Sequence, residues 1–336
     1  MSLVIFCLAI LGSIKYIEPV KNQIKSIINN FKPTLRVAAI GRHGQWLPGN
    51  IQKILETKYN VVYVGLDDNK YDLLFVSDLF TDENFSDKEA IKIYWTSEAY
   101  IPNLDHYDLV IGFNHIDSPK FIRLPYYYTA YRNEIIADKL SRPGQNQGEC
   151  NPNKPLFACF LVSNGSTDYI AENGSIATGI RIRDNIFHEL SKYKWVASGG
   201  KHLNNIGRVI PRGDKESREW LGQCKFVIAY ENQLYDGYIT EKVFQAYFSG
   251  AVPIYWGDKR AVSDINKGAI IYANDYIATD DLINYIKKVD KDDDLYCKIW
   301  NQALVTNQEL NYDTVYDRVA KKLYKLIDSK LHQQKK

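Results

Sequence analysis

From Leu35 onward, short apolar runs alternate with stretches whose apolar residues recur at helical spacing. LRVAAI, NVVYVGL, DLLFVSDLF, IKIYWTSE and YDLVIGF are rich in β-branched and aromatic residues and read as strands, whereas NIQKILETKY reads as an amphipathic helix. Strands punctuated by helices imply a parallel sheet with helices on its faces. Around residues 139–155 this pattern stops. KLSRPGQNQGECNPNKP has no apolar period and is expected to form a linker or surface loop.

The alternation then resumes. LFACFLVSN, WVASGG, KFVIAYEN, AVPIYWG and AIIYA read as strands. Helices are expected at IRDNIFHELSKY, ESREWLGQC, ITEKVFQAYFSG, DDLINYIKKV, LYCKIWNQAL and TVYDRVAKKLYKLI. We therefore divide the chain into a lead-in (1–33), a first α/β domain (34–150), a second (151–312) and a C-terminal helix with a basic tail (313–336). Two such domains in series predict a cleft between them as the place for a ligand.

Composition narrows the function. The 336 residues are 45% hydrophobic and 24% charged, enough for two cores, and the formal charge of +2 creates no field that would draw a nucleic acid. An anionic ligand has to be gripped locally. Cys7, Cys150, Cys159, Cys224 and Cys297 form no C-x-x-C pair and are expected to be mostly buried thiols. Sequons at Asn84, Asn164 and Asn173 are no more than an Asn-rich chain produces by chance.

The opening MSLVIFCLAILGSI lacks the early positive charge of a cleavable signal and is shorter than a bilayer span. Extended through Ile17 with Lys15 snorkelling, it reads as a marginal membrane anchor; the other reading is a helix-packed N-terminus. Lys15, Lys21 and Lys25 would keep an anchored chain on the cytoplasmic side. At the other end, RVAKKLYKLIDSKLHQQKK reads either as a solvated terminal helix or as a basic amphipathic helix resting on an anionic membrane.

The chemistry concentrates in FVIAYENQLYDGYITEKVFQAYFSGAVPIYWGD, Phe226 to Asp258. A strand ends in a polar, Gly-containing loop, Thr240 stands where an N-cap belongs, and the helix after it stops at Gly250. A helix that starts at the carboxyl end of a strand offers unpaired N–H groups and a positive dipole to an anion. Lys242 in that first turn opposes the dipole, which a bound diphosphate would explain; the other reading of Glu241 and Lys242 is an ordinary solvated turn.

This stretch resembles the donor-binding motif of the α-1,3-fucosyltransferases: F-E-N-[ST], a short loop, Y-[VI]-T-E-K and, after the helix, P-[IV]-x-x-G. Tyr230 stands here for the usual Phe and Gln233 for the usual Ser or Thr. The resemblance runs through most of the chain from about Leu35 and is closest to bacterial members. It implies a GT-B fold of two Rossmann-like domains. It further implies that Tyr238, Glu241 and Lys242 meet the fucose and diphosphate of GDP-fucose and that Asn232 supports the nucleotide. Arg183, in GIRIRDNIFHEL, matches the family's diphosphate arginine, with Arg181 as the neighbour most easily confused with it. A planar guanidinium suits phosphate oxygens because it donates two parallel hydrogen bonds and stays charged.

IKIYWTSEAYIPN resembles the segment that carries the family's catalytic carboxylate. Glu98 is the only acid between Trp95 and Pro102, although Ala-Tyr-Ile-Pro follows it where many members have Ser-Pro. The implied reaction is an inverting transfer of fucose to a hydroxyl of an N-acetylglucosamine-containing glycan, with Glu98 as general base. Arg183, Lys242 and the helix tip then make a metal or other cofactor unnecessary. The Asp-x-Asp at Asp290 and Asp292 is expected to cap a helix rather than bind metal, and His43, after the first strand, reads either as an incidental loop histidine or as an acceptor contact. Two other functions fit the pattern: a GT-B transferase of another nucleotide sugar, and a silent nucleotide-sugar or glycan-binding protein. A single-pass enzyme in the Golgi lumen is the alternative to the cytoplasmic-face placement.

Overall fold

The computed structural model describes residues 31–41, 47–68, 70–78, 89–130, 149–165, 178–211, 215–307, 310 and 312–333. The N-terminal apolar segment, His43, the sequons at Asn84 and Asn173, and most of the expected linker lie outside the described residues. The chain packs as two compact units. One takes the residues up to Trp95, Pro102–Ile111 and Tyr316 onward; the other takes Thr96–Ile101 and Gly112–Val315.

The first unit is built on strands β1 (Thr34–Gly41), β2 (Asn60–Tyr63), β3 (Leu73–Ser77), β4 (Ile91–Trp95) and β5 (Leu109–Gly112), in the order β2-β1-β3-β4-β5. The pairings from β2 through β5 are parallel. Parallel strands are covered on both faces, so β3 is buried at every position and reads as a continuous apolar run. Helix α1 (Gly49–Lys58) buries Ile51, Ile54 and Leu55.

The second unit contains β6 (Phe121–Arg123) and the short helix α2 (Tyr127–Ala130), then β7 (Leu156–Phe160), α3 (Thr178–Ser191) and β8 (Val196–Ser198). It continues with α4 (Lys215–Leu221), β9 (Cys224–Tyr230), α5 (Glu241–Phe248), β10 (Val252–Trp256), β11 (Ile271–Tyr272), α6 (Thr279–Lys291) and α7 (Asp293–Trp300). Its sheet is parallel and ordered β11-β10-β9-β7-β8. From β7 the chain winds outward to β8, and from β9 it winds the opposite way to β10 and β11. The reversal between β7 and β9 is a topological switch point, where the loops after the two strands part and leave a crevice at their carboxyl ends.

The C-terminal helix α8 (Tyr312–Gln333) turns its apolar face into the protein and leaves its polar face exposed. Val319, Leu323 and Ile327 are buried in the first unit. Tyr324 donates to the Ile54 carbonyl at 2.6 Å and meets Tyr59 edge-on at 6.0 Å, while Tyr59 and Lys58 both bond Asp328. Burial favours protonation of the Asp328 carboxylate, but those two hydrogen bonds outweigh it and lower its pKa. Among the described residues no helix is long and apolar enough to cross a membrane.

The expectation of buried thiols is corrected. Cys150 pairs with Cys297 and Cys159 with Cys224, at Cα separations of 5.7 and 5.9 Å. The second pair links β7 to β9, strands that are distant in sequence and adjacent in the sheet. Asp290 is buried against Tyr193, Lys194 and Lys225, and Asp292 caps α7 by accepting the Leu295 N–H at 2.9 Å.

Candidate active site

The crevice at the switch point is flanked by the first turns of α3 and α5. Strand β9 is buried along its whole length and is followed directly by Glu231, whose carboxylate is fully buried. A buried carboxylate is tolerated only where hydrogen-bond donors replace water. Glu231 Oε1 accepts the Thr240 N–H at 2.8 Å, Oε2 accepts the Thr240 hydroxyl at 2.7 Å, and the Lys242 ammonium donates to Oε2 at 3.1 Å. Thr240 holds the expected N-cap position but makes no side-chain cap bond, because its hydroxyl is turned to Glu231.

Lys242 also donates to Thr240 Oγ1 at 2.8 Å and stands 3.7 Å from Glu241 Oε1. Burial pulls the ammonium pKa down, but the Glu231 and Glu241 carboxylates outweigh it and raise it above the usual lysine value, against a smaller opposing push from Arg183. Arg183 is thus close enough for its charge to be felt at Lys242. It is 4% exposed, whereas Arg181 is exposed, so the two neighbours that sequence confuses are separated by burial.

Gly179 explains how α3 reaches this place. A Cβ on Gly179 would lie 2.3 Å from the Asn232 carbonyl oxygen and 2.7 Å from that of Glu231, so only glycine lets the helix start rest on the end of β9. Beside this start lies a cavity of about 430 Å³ between Arg181, Ile182 and Asn185 of α3 and the segment Tyr276–Thr279.

The loop between β9 and α5 is braced on its other side. Asn114 Nδ2 donates to the Asp236 carbonyl at 2.9 Å, and the Gly237 N–H to Asp258 at 2.9 Å. Arg260 bonds Asp236 at 2.8 Å and the His115 carbonyl at 3.2 Å. Gly237 has φ 71°, and an added Cβ there would come within 2.9 Å of the Phe113 carbonyl oxygen. This bracing buries Tyr238, which meets Phe113 edge-on at 4.9 Å in a small apolar cluster with Ala99. Burial lowers the pKa of His115, and Arg123 lowers it further. Arg123 makes a two-pronged ion pair with buried Asp264, at 2.7 and 3.1 Å.

Glu98 packs with the same unit as the five donor candidates. It sits half-buried on a turn in which its N–H donates to Thr96 Oγ1 at 3.1 Å and its carbonyl accepts the Thr96 hydroxyl at 2.9 Å and the Tyr100 N–H at 2.7 Å. The next residue, Ala99, touches the Tyr238 cluster and accepts a long 3.4 Å bond from Gln233 Nε2. Asn232 Oδ1 and Gln233 Oε1 are buried and have no hydrogen-bond partner among the described residues. The structure therefore gathers Arg183, Asn232, Glu241 and Lys242 around the end of β9 and places Tyr238 against the turn that carries Glu98. Sequence reasoning missed Glu231. Its signals were an acid set directly after an apolar strand and its place as the E of the F-E-N-[ST] motif.

Comparison with known proteins identifies the family. Residues 152–333 match the family model for the glycosyltransferase family 10 (fucosyltransferase) C-terminal region, and residues 46–131 match the α-(1,3)-fucosyltransferase FucT N-terminal domain. The chain is 27% identical over 300 residues to α-(1,3)-fucosyltransferase FucT of Helicobacter pylori, a match covering 79% of this chain and 59% of that protein. It is 30% identical over 152 residues to 4-galactosyl-N-acetylglucosaminide 3-α-L-fucosyltransferase 9 of Bos taurus, covering 45% of this chain and 38% of the other. It thus spans 59% and 38% of the lengths of these two relatives. In fold it is similar to a crystal structure of an α1,3-fucosyltransferase with GDP-fucose, with a TM-score of 0.69 at 22% identity over 88% of this chain and 91% of that one. The fold is the α/β GT-B type, and the chain belongs to the glycosyltransferase family 10 fucosyltransferases.

Proposed function

We propose that this protein transfers L-fucose from GDP-fucose, with inversion, to a hydroxyl of an N-acetylglucosamine-containing glycan, in α-1,3 linkage. The observation that carries the reading is the convergence of two cations, buried Arg183 and half-buried Lys242, at the switch-point end of β9. In this reading they hold the donor diphosphate, Asn232 supports the nucleotide, and Tyr238 and Glu241 contact the fucose and diphosphate. The Glu98 carboxylate takes the proton of the acceptor hydroxyl as that oxygen bonds the anomeric carbon. The bond from that carbon to the β-phosphate oxygen breaks on the opposite face. Negative charge grows on the departing GDP, and Arg183 and Lys242 stabilise it without reorganising.

Fixed cations do for this leaving group what a divalent metal does elsewhere, so we expect transfer without metal or other cofactor. Four cysteines paired as disulfides favour an oxidising compartment, such as the Golgi lumen, over the cytoplasmic face of a membrane. The test is incubation with GDP-fucose and a glycan panel in chelator, followed by linkage analysis of the product. Formation of an α-1,3-fucosylated N-acetylglucosamine supports the proposal. Transfer from a different nucleotide sugar, GDP binding without turnover, or strict loss of activity in chelator would each refute a stated part of it.

A further inference from the structure

Glu231 is the one fully buried carboxylate among the described residues, and packing does not account for it. An apolar side chain at the end of β9 would fill the same space without the cost of desolvating a charge. What the carboxylate does instead is close a triangle: it accepts the Thr240 hydroxyl at 2.7 Å and the Lys242 ammonium at 3.1 Å, while Lys242 donates to Thr240 at 2.8 Å. An ammonium has three N–H donors. Two are committed to this triangle, and Glu241, at 3.7 Å, is beyond hydrogen-bond length.

We infer that Glu231 is a positioning residue for the donor: with Thr240 it fixes the Lys242 ammonium at the start of α5, leaving one N–H for a diphosphate oxygen. The inference rests on the donor-site reading above and adds a member to it. The charged groups that act on Lys242 are Glu231 at the end of β9, Glu241 on its own helix and Arg183 from α3. The two carboxylates favour the charged lysine and Arg183 opposes it. Glu231 is therefore the buried charge that offsets Arg183 and lets two cations stand together before any ligand arrives.

The test measures GDP affinity by titration calorimetry, across pH, for the wild-type chain, Glu231→Gln, Lys242→Ala and the double variant. Glu231→Gln is expected to weaken GDP binding about 10-fold or more, the scale of a hydrogen bond to a charged group. In the Lys242→Ala background the same substitution is expected to cost nothing further, because its effect passes through Lys242. The alkaline fall in GDP affinity should also move to lower pH in Glu231→Gln, since the lysine has lost its nearest negative partner. An equal loss in both backgrounds would reduce Glu231 to a general structural role and overturn the inference. So would wild-type affinity and pH profile in Glu231→Gln alongside a weakened Lys242→Ala. Unchanged GDP affinity in Lys242→Ala would sink the donor-site reading itself. If Glu231→Gln does not fold, Glu231→Asp, which withdraws the charge by one methylene, takes its place in the cycle and is read by the same coupling.

Discussion

Replacing Gly179 by alanine should damage donor binding through a single methyl group. The new Cβ would sit 2.3 Å from the Asn232 carbonyl oxygen and 2.5 Å from the Asn232 carbonyl carbon, roughly 1 Å short of ordinary contact. Neither atom can retreat easily. They belong to backbone at the end of β9, where the Glu231 N–H is tied to the Trp256 carbonyl at 2.9 Å. The start of α3 must move instead, by about the missing ångström, and Arg183 lies one helical turn further along it. Overpacking of this kind costs about 1–3 kcal/mol of stability. The larger effect is on transfer, where a displacement of about 1 Å can cost roughly 100-fold. The assay is kcat/KM for GDP-fucose together with GDP affinity, each with a thermal melt to establish folding. Gly49→Ala is the control, since a Cβ there meets nothing within 4 Å. A folded Gly179→Ala protein with wild-type affinity and turnover would refute the claim that glycine is needed for the approach of α3.

Glu98→Gln should retain GDP affinity and lose about 10²- to 10⁴-fold in transfer, the usual contribution of a general base; unchanged transfer in a product assay would remove Glu98 from the mechanism. Arg123→Ala leaves the Asp264 carboxylate, with a side chain 3% exposed, without its two-pronged partner. Urea unfolding should register a loss of about 3–5 kcal/mol, and a loss below about 1 kcal/mol would show that Asp264 finds other support. The lowered pKa of Asp328 stabilises the fold above the unfolded carboxylate value near 4, and that contribution disappears as pH falls through the folded value. Asp328→Asn should therefore be less stable than wild type at pH 7, by up to about 1 kcal/mol for so exposed a pair, and the gap should close on acidification in parallel urea titrations.

The strands were legible wherever both faces are covered. Strand β9 is buried at every position, so KFVIAYEN announces it without any need for an alternating pattern. Edges were read less well. AIIYA is a strand only at Ile271–Tyr272, because Ala269 closes one 3-10 turn and Ala273 opens the next. Helix α3 begins at Thr178, before the expected Ile182, since Gly179 looks like a breaker in sequence and serves in the fold as a point of close approach. The disulfides were hidden because Cys159 and Cys224 are 65 residues apart and become neighbours only when β7 and β9 pair. Glu231 was hidden for the opposite reason. Beside Asn232 and Gln233 it looks like the first residue of a polar loop, and only burial shows that its carboxylate points into the protein.

Charge explains why the proposed donor site has this composition. Arg183 and Lys242 supply two positive charges, and Glu231 and Glu241 two negative ones, so the resting site is balanced although each charge has a fixed place. Two neighbouring cations left to themselves would repel, and Arg183 opposes the charged form of Lys242. Carboxylates beside the lysine offset this. Glu231 and Thr240 orient the ammonium without a ligand, so in the proposed site the phosphate grip would already be assembled when the donor binds. Because the leaving GDP carries more negative charge than the intact donor, a preformed pair of cations favours the later state over the earlier one. In the proposed reaction that difference, rather than tight donor binding, is what would accelerate transfer.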